Sequence, residues 1–507
     1  MGATAGTLTH QPTIAIARNA GYTGAISFSV TGLPPLLVAG ITPTNVTGNT
    51  TTMVFVNAGA PNGTYTGTIR AVGAGGGGER TANVQVVVAP PTTGNINWRL
   101  CTSDARYPAW FVAVKDGGGP WTRVVPGENG FLYSFNVSSP TASVAWVGID
   151  SGVARTTVYS YTQQELSSLA TNACTLYQNV STRTVNGQVT GMSAGEMSLV
   201  GMGWWFASTT GTTSSYSLQN LPAGPLDLVA VRASLDANIT ANPNRAIIRR
   251  GLNPASGGSN ATVDFNAAEA FPMTSSVWTI GGANGEAFSV SQYFHTIGGT
   301  TGMFHSIPQN ERTPTSRTVY GIPADRTLAG DLHQTILTIG SLGPRRATRQ
   351  VITYSRGITD RSISFGPPLP APTVTAVSTA NAGLLRAAGT LPAEYVAGVA
   401  VDVKSTGAFP RFATLHASRG FLGAGSGYDI AMPDLTGVLG WDSSWTIRRG
   451  DLTEWWVSGG GAILELFDGR YIFHSTRRRW AGVLTGVTAP AEGSTYFMAR
   501  ASGTVTP

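Results

Sequence analysis

The residues best suited to chemistry lie between Tyr428 and Trp456. That stretch holds Asp429, Asp434, Asp442, Asp451 and Glu454, together with Trp441, Trp445, Trp455 and Trp456. Two carboxyl groups facing each other across a cleft at roughly 5–9.5 Å would support glycoside hydrolysis. Flat indoles beside carboxylates would instead hold a sugar ring by stacking. The same residues also have a plainer use. An Asp in the Pro433-Asp434 or Trp441-Asp442-Ser443 turn accepts hydrogen bonds from its own backbone, and Trp fills the cores of large sandwiches. Three readings of Trp441, Trp445 and Trp455 therefore stand: core, interface with another domain or subunit, or, with Asp442, a glycan platform. Trp455 and Trp456 are adjacent, so in a strand they point to opposite faces. At least one of them is then a candidate for solvent or an interface.

Elsewhere the chemistry thins out. His295, His305, Asp325, Asp331 and His333 could in principle assemble a metal centre. Asp331 and His333 are two apart, hence on one face of a strand, and imidazoles with a carboxylate suit zinc or iron. The spacings are loose and no His-Glu-x-x-His occurs. These histidines read as hydrogen-bonded structural residues, and no metal or cofactor is expected. Gly423, Gly425 and Ser426 do not form the strand-to-helix elbow of a serine hydrolase. With no convergent catalytic set, the chain is expected not to be an enzyme. Cys101 and Cys174 are the two cysteines. A disulfide between them would close a loop of roughly 70 residues, worth about 4 kcal/mol on the chain-entropy account; two buried thiols are the alternative. Neither suits a zinc site.

Charged residues make up 11% of the 507, against about 25% in ordinary soluble domains. Glycine, serine and threonine take their place, giving a neutral, hydroxyl-rich surface of the kind found outside cells. The net charge of +6 rests on arginine, since Lys115 and Lys404 are the sole lysines. Such a bias reflects a GC-rich genome or a surface that attracts anionic glycans, lipopolysaccharide or nucleic acid. The densest clusters, Arg345-Arg346 with Arg349 and Arg477-Arg478-Arg479, lack the interleaved aromatics of a nucleic-acid platform, so no nucleic-acid partner is expected. No run approaches 18 apolar residues, so no transmembrane helix is expected. The N-terminus lacks the basic region and apolar core of a signal peptide. The expectation is an export signal already removed, or a piece of a longer chain.

The elements that must position these groups read as an all-β chain of tandem sandwiches. Residues 1–90 alternate at 13–17, 25–30, 52–56, 63–70 and 82–88, between Gly/Pro/Asn turns, which is a sandwich signature. A linker at 89–94 precedes an aromatic-rich unit at 95–182. That unit has one predicted helix over 162–173, with Thr162 and Glu165 as a capping box. A third unit at 183–233 places Val185 and Val189 before Gly191, then Tyr216, Leu218, Leu221, a Pro-Ala-Gly turn and an apolar strand at 226–231. A β unit at 234–366 and a stiff Pro-rich linker at 367–372 lead to a Trp-rich unit at 373–507.

Two of these segments resemble known modules. Residues 21–34 (Gly-Tyr-Thr-Gly-Ala-Ile-Ser-Phe-Ser-Val-Thr-Gly-Leu-Pro), Ile41-Thr42-Pro43 and 61–69 resemble the Ig-like repeat of exported bacterial proteins. That resemblance implies a spacer or stalk. The usual first strand is short or missing here, which implies a chain cut within a stalk or a strand supplied by a neighbour. V-x-G-x-V-x-G at 185–191 and Y-S-L-x-N-L-P-A-G at 216–224 resemble the carboxypeptidase-regulatory or transthyretin-like fold, which implies a non-catalytic accessory module. The remainder resembles exported bacterial proteins of unknown function.

The expected role is a non-catalytic extracellular or cell-surface structural and binding protein, adhesin-like or a subunit of a surface filament. Its expected partners are a second copy, met through edge strands or the N-terminal segment 1–18, and a glycan or cell-envelope ligand. The runner-up is a secreted protein that binds or cleaves carbohydrate through residues 428–456.

Overall fold

The computed structural model describes residues 2–3, 13–18, 22–33, 37–42, 45–57, 63–74, 78–88, 94–99, 109–126, 132–150, 153–172, 182–203, 205–222, 224–235, 241–257, 261–283, 285–312, 314–341, 347–377, 382–395, 397–406, 410–423, 425–460, 492–493 and 495–507. Their architecture is all-β. The α-helices among them are Gln163–Asn172 and the single turn Arg419–Leu422.

The first unit is built from two facing sheets. Ile26–Thr31 alternates half-buried and exposed positions, and Phe28 and Val30 on its inner side pack with Ile41, Met53, Val84 and Val86. The opening segment pairs within the chain. Gly2–Ala3 runs parallel to Glu79–Val88, and Thr13–Ala15 runs antiparallel to Thr50–Asn57. No strand of this unit joins another unit's sheet among the described residues.

The unit expected at 183–233 extends further. Leu226–Leu235 forms an antiparallel ladder with Ala241–Leu252, and Val263–Asp264 and Phe271–Pro272 complete its two sheets. Their shared core joins Val185, Val189 and Leu218 to Leu228, Ile247, Val263 and Phe265. The reason lies in the apolar run Leu226–Val231. Leu226, Leu228 and Ala230 face this core, while Val229 and Val231 face outward onto Phe294 and Ile322. A strand apolar on both faces needs a layer on each side.

Among the described residues, twelve strands form the main sheet: β1 (Ala109–Asp116), β2 (Trp121–Arg123), β3 (Thr141–Asp150), β4 (Val153–Thr162), β5 (Ala287–His295), β6 (Thr301–Arg312), β7 (Leu332–Gly340), β8 (Thr348–Ser355), β9 (Gly398–Ser405), β10 (Phe412–Ser418), β11 (Thr453–Gly460) and β12 (Thr495–Val505). Their order is β2-β1-β3-β4-β10-β9-β11-β12-β8-β7-β5-β6. The segments 95–182, 234–366 and 373–507, expected as separate units, thus share one hydrogen-bonded sheet. At about 4.8 Å per strand it spans roughly 50 Å.

One face of this sheet carries Phe111, Ala145, Val158, Leu415, Val401 and Val457. A small sheet of Thr373–Ala376, Leu385–Thr390 and Gly427–Ala431 covers it. Further along, a second small sheet contributes Trp278, Ile280 and Val319 against Val290, Leu337 and Val351. The opposite face is closed at the β1–β4 end. There Ile96, Tyr133, Phe135 and Leu166 meet Val112, Val114 and Val144. Leu166 belongs to Gln163–Asn172, whose expected capping box is present: Glu165 N donates to Thr162 Oγ1 (3.2 Å), and Thr162 N donates to Glu165 Oε2 (2.8 Å).

Candidate functional site

Trp441, Trp445 and Trp455 sit on the covered face. Trp441 and Trp445 meet edge-on, with centroids 5.3 Å apart and planes at 87°. Both abut Phe111, at 5.1 and 5.9 Å. Trp441 Nε1 donates to Thr446 Oγ1 at 3.2 Å. The cavity they line with Met432 and Leu435 is about 20 Å³, room for roughly one water. Trp455 packs on the same apolar core, its ring so close over Gly503 that a Cβ there would clash. Asp442 is exposed, and its Oδ1 accepts from Ser444 N (2.8 Å) in a helical-turn cap. Asp434 accepts from Thr436 N and Oγ1, and Asp429 pairs with Arg386. The two indoles are perpendicular to each other and pack on a phenylalanine, so they are not coplanar. Cys101, Cys174 and the Arg477–Arg479 run lie outside the described residues, as does the side chain of His305.

The histidine set is dispersed. His295 Nε2 meets Gln334 Oε1 (2.9 Å) and its Nδ1 meets Thr301 Oγ1 (3.0 Å). Burial drives its basicity down to about 3. His333 Nε2 accepts from Ile322 N (2.8 Å), and burial lowers it to about 4. Asp331 is fully buried and belongs to an ion triad. Arg250 reaches Asp331 at 2.6 Å and Asp227 at 2.8 Å, bolting the 182–272 sandwich to the turn at 328–331, and Ile297 N also donates to Asp331 (2.8 Å).

A different constellation appears on the opposite face of the main sheet. The ladders align Arg155 with Phe412, Phe412 with Lys404, and Lys404 with Glu454. One step along the strands they align Thr157, Thr414, Asp402, Trp456 and Ser502. All of these are half-buried. Strand alternation puts their intervening neighbours, Val158, Ala413, Val401, Val403 and Val457, in the core on the other side. Side-chain geometry on this face is tied together. Arg500 Nη2 pairs with Asp402 Oδ2 at 2.8 Å, and the two side chains keep 35% and 25% of their exposure. Arg500 Nε donates to Ser458 Oγ (3.1 Å), and Thr414 Oγ1 donates to Asp402 Oδ1 (3.0 Å). The Arg500 guanidinium carbon is 6.0 Å from the Trp456 centroid. Arg155 stands 4.3 Å from the Phe412 ring centre and Lys404 Nζ stands 5.9 Å from it, both within cation–π range. Beyond them Tyr159 stacks on His416 (5.1 Å, 16°).

Sequence reasoning chose Trp455 over Trp456; the register places Trp456 on the polar face. The signal was available as polar or aromatic residues two apart: Arg155-x-Thr157, Asp402-x-Lys404, Phe412-x-Thr414-x-His416, Glu454-x-Trp456-x-Ser458 and Arg500-x-Ser502-x-Thr504. What the sequence does not disclose is that these five strands lie side by side.

The chain matches no family model and no curated protein. Among solved structures it is similar to the Bacillus anthracis TIE protein, at 9% identity over 71% of this chain and 72% of that one, with a TM-score of 0.16. It is also similar to an endo-fucoidan hydrolase from glycoside hydrolase family 107, at 12% identity over 50% of this chain and 43% of that one, with a TM-score of 0.14. Scores this low establish no common fold.

Proposed function

We propose that this chain is a non-catalytic binding and structural protein of the cell surface or extracellular space. The N-terminal sandwich serves as a spacer and the twelve-stranded sheet as the binding head. One observation carries this reading: half-buried aromatic, hydroxyl and charged side chains share one face on strands drawn from distant parts of the chain. Open sheet faces suit extended ligands, whereas small-molecule and catalytic sites are concave. Incubating the protein with a panel of soluble and insoluble polysaccharides, and measuring both retention and release of reducing ends, tests the reading. Retention without release is expected; steady release would overturn it.

The second reading, a carbohydrate-cleaving enzyme, draws on Asp402 and Glu454. They are diagonal cross-strand neighbours on one face, and paired carboxyl groups are what glycosidases use. Against it, Asp402 spends one oxygen on Arg500 and the other on Thr414, and Lys404 lies directly across from Glu454. If cleavage is seen, Glu454→Gln should abolish it.

A filament-forming version of the primary reading would use β6. This twelve-residue edge strand pairs on one side with β5; on the other, Thr301 N donates to Gly203 O (2.8 Å) of the neighbouring sandwich, and the rest has no second ladder partner among the described residues. Open edges template association. Sedimentation at rising concentration tests this: a constant monomer mass would exclude the filament.

A further inference from the structure

We propose that the joint between the 182–272 sandwich and the main sheet is acid-sensitive, and that the neutral ring of His333 is its latch. The inference is independent of what the chain binds.

The joint has an apolar and a polar part. Val229, Val231, Ala246 and Phe271 of the sandwich close over Phe294 and Ile322, all of them buried. Beside them Arg250 spans Asp227 and Asp331, and Gly203 N donates to Thr300 Oγ1 (2.8 Å). His333 stands behind both parts. It lies two residues after Asp331, and its ladder partner on β5 is Phe294. Its ring leans on Phe294, with centroids 4.9 Å apart and planes at 49°, and its Nε2 accepts from Ile322 N (2.8 Å). One imidazole thus supports both residues over which the sandwich closes.

The partners fix the protonation of that ring. Ser355 O, 3.3 Å from Nδ1, can only accept, and Ile322 N can only donate. Nδ1 therefore carries the proton and Nε2 the lone pair. A second proton at Nε2 breaks the Ile322 bond, leaves a buried N–H without its acceptor and sets two N–H groups facing each other. The ring lies tight against the backbone there, since a Cβ on Gly321 would stand 3.0 Å from Nε2. Protonation must then displace Ile322, and with it the contact to Val229 and Val231. His295, on the other face of the sheet, differs. Its Nδ1 meets the Thr301 hydroxyl (3.0 Å), which can turn from donor to acceptor, so a proton there breaks no such bond.

Several charged and titratable groups surround His333. Asp331 favours the protonated ring, but its carboxylate is already engaged by Arg250, Ile297 N and Leu328 N, with Asp227 behind Arg250. Tyr320, Asp325 and Arg326 flank Ile322, and Arg356 and Asp360 follow β8. His305 lies across from Gln292 in the ladder, with its side chain outside the described residues. Burial outweighs the pull of Asp331 and lowers His333 from 6.5 to about 4. The closed joint thus favours the neutral ring, and a released ring returns toward 6.5. Stability of the joint is complete above about pH 6.5 and is lost as pH falls toward 4. By this linkage the opening constant should rise about 30-fold between pH 7.5 and pH 5.

The test is amide hydrogen exchange on the full chain, read by mass from about pH 7.5 to about pH 5 and corrected for the intrinsic pH dependence of exchange. Peptides covering 226–235 and 316–322 should lose protection about 30-fold, while 348–355, inside the main sheet, keeps its own. His333→Gln retains an acceptor for Ile322 N and a donor toward Ser355 O but does not titrate, so it should hold the protection of the joint constant with pH. Unchanged protection in the wild type would overturn the proposal. So would parallel loss at 348–355, which marks global acid unfolding. Acid opening that persists in His333→Gln, or that His295→Gln abolishes instead, would overturn His333 as the latch. Should His333→Gln not fold, exchange at the imidazole carbon of the wild-type His333 decides: titration well below 6.5 is expected, and titration near 6.5 would overturn the latch.

Discussion

Trp441 and Trp445 meet Phe111 edge-on beneath a short turn, whereas Trp456 lies in a β ladder with Arg500 beside its ring. Both regions combine indoles with nearby carboxylates, and from composition they are equivalent. They differ in what the backbone does with them. At Trp441 the chain turns, Asp442 caps that turn and the rings close over apolar neighbours. At Trp456 the chain is extended, so every second side chain is delivered to the same surface as those of four neighbouring strands. Aromatic density alone therefore does not say which indoles share a surface with polar groups; sheet register does.

The comparison breaks first, if it is wrong, at Phe111. This ring is fully buried under both indoles, so Phe111→Ala should cost about 3–5 kcal/mol in denaturant unfolding while leaving any retained polymer binding unchanged in the folded fraction. A binding loss at constant stability would move the site back to the Trp441 turn. Asp402→Ala offers the inverse. Its pair with Arg500 is partly exposed, so the stability loss should stay near about 1 kcal/mol or less, yet polymer retention should fall as the orienting contacts disappear. A large unfolding cost with unchanged retention would show that the network is structural.

Smaller effects separate the closed end of this face from its open stretch. Burial pushes the Glu165 carboxyl upward, opposed by hydrogen bonds from Ser418 and from Thr162. A raised value in the fold means that the neutral form is favoured there. Its contribution is present below the ordinary glutamate range and is lost as pH rises through the folded value. Thermal melts from about pH 4 to pH 8 should then show the wild type losing ground to Glu165→Gln as pH increases; a constant gap would refute a buried, titrating Glu165. The smallest effect is expected at Asp116. Desolvation raises its carboxyl, but hydrogen bonds from Ser138 and Ser139 outweigh this and hold it at about 2. Its contribution is present above the unfolded value of about 3.9 and fades as pH falls toward 2. Asp116→Asn should therefore be slightly less stable at neutral pH and match the wild type near pH 2.

Much of the fold was legible. The alternation at 25–30, the Thr162–Glu165 box and the turn-capping role of Asp434 and Asp442 are all local, set by residues within a few positions of one another. The reach of the second sandwich was not, because the run 226–231 carries its extra apolar positions without naming the partners, which come from 241–252 and from Phe294. The face around Trp456 was illegible for the same reason in stronger form. Each of its strands shows the two-residue period, but their lateral order is decided by contacts between remote segments, and no spacing within the chain encodes it.

The join between β4 and β10 is the one parallel pairing among the described strands of the main sheet, and it brings together groups as far apart as Glu165 and Ser418, separated by 253 residues. This imposes an order on assembly. Residues 109–162 cannot finish one edge of their sheet until residues 412–418 have been made, and that edge stays unsatisfied meanwhile. Long-range pairing of this kind is slow, and an open strand waiting for its partner is exposed to capture by other chains. Refolding from denaturant should therefore show a slow phase whose yield falls with protein concentration.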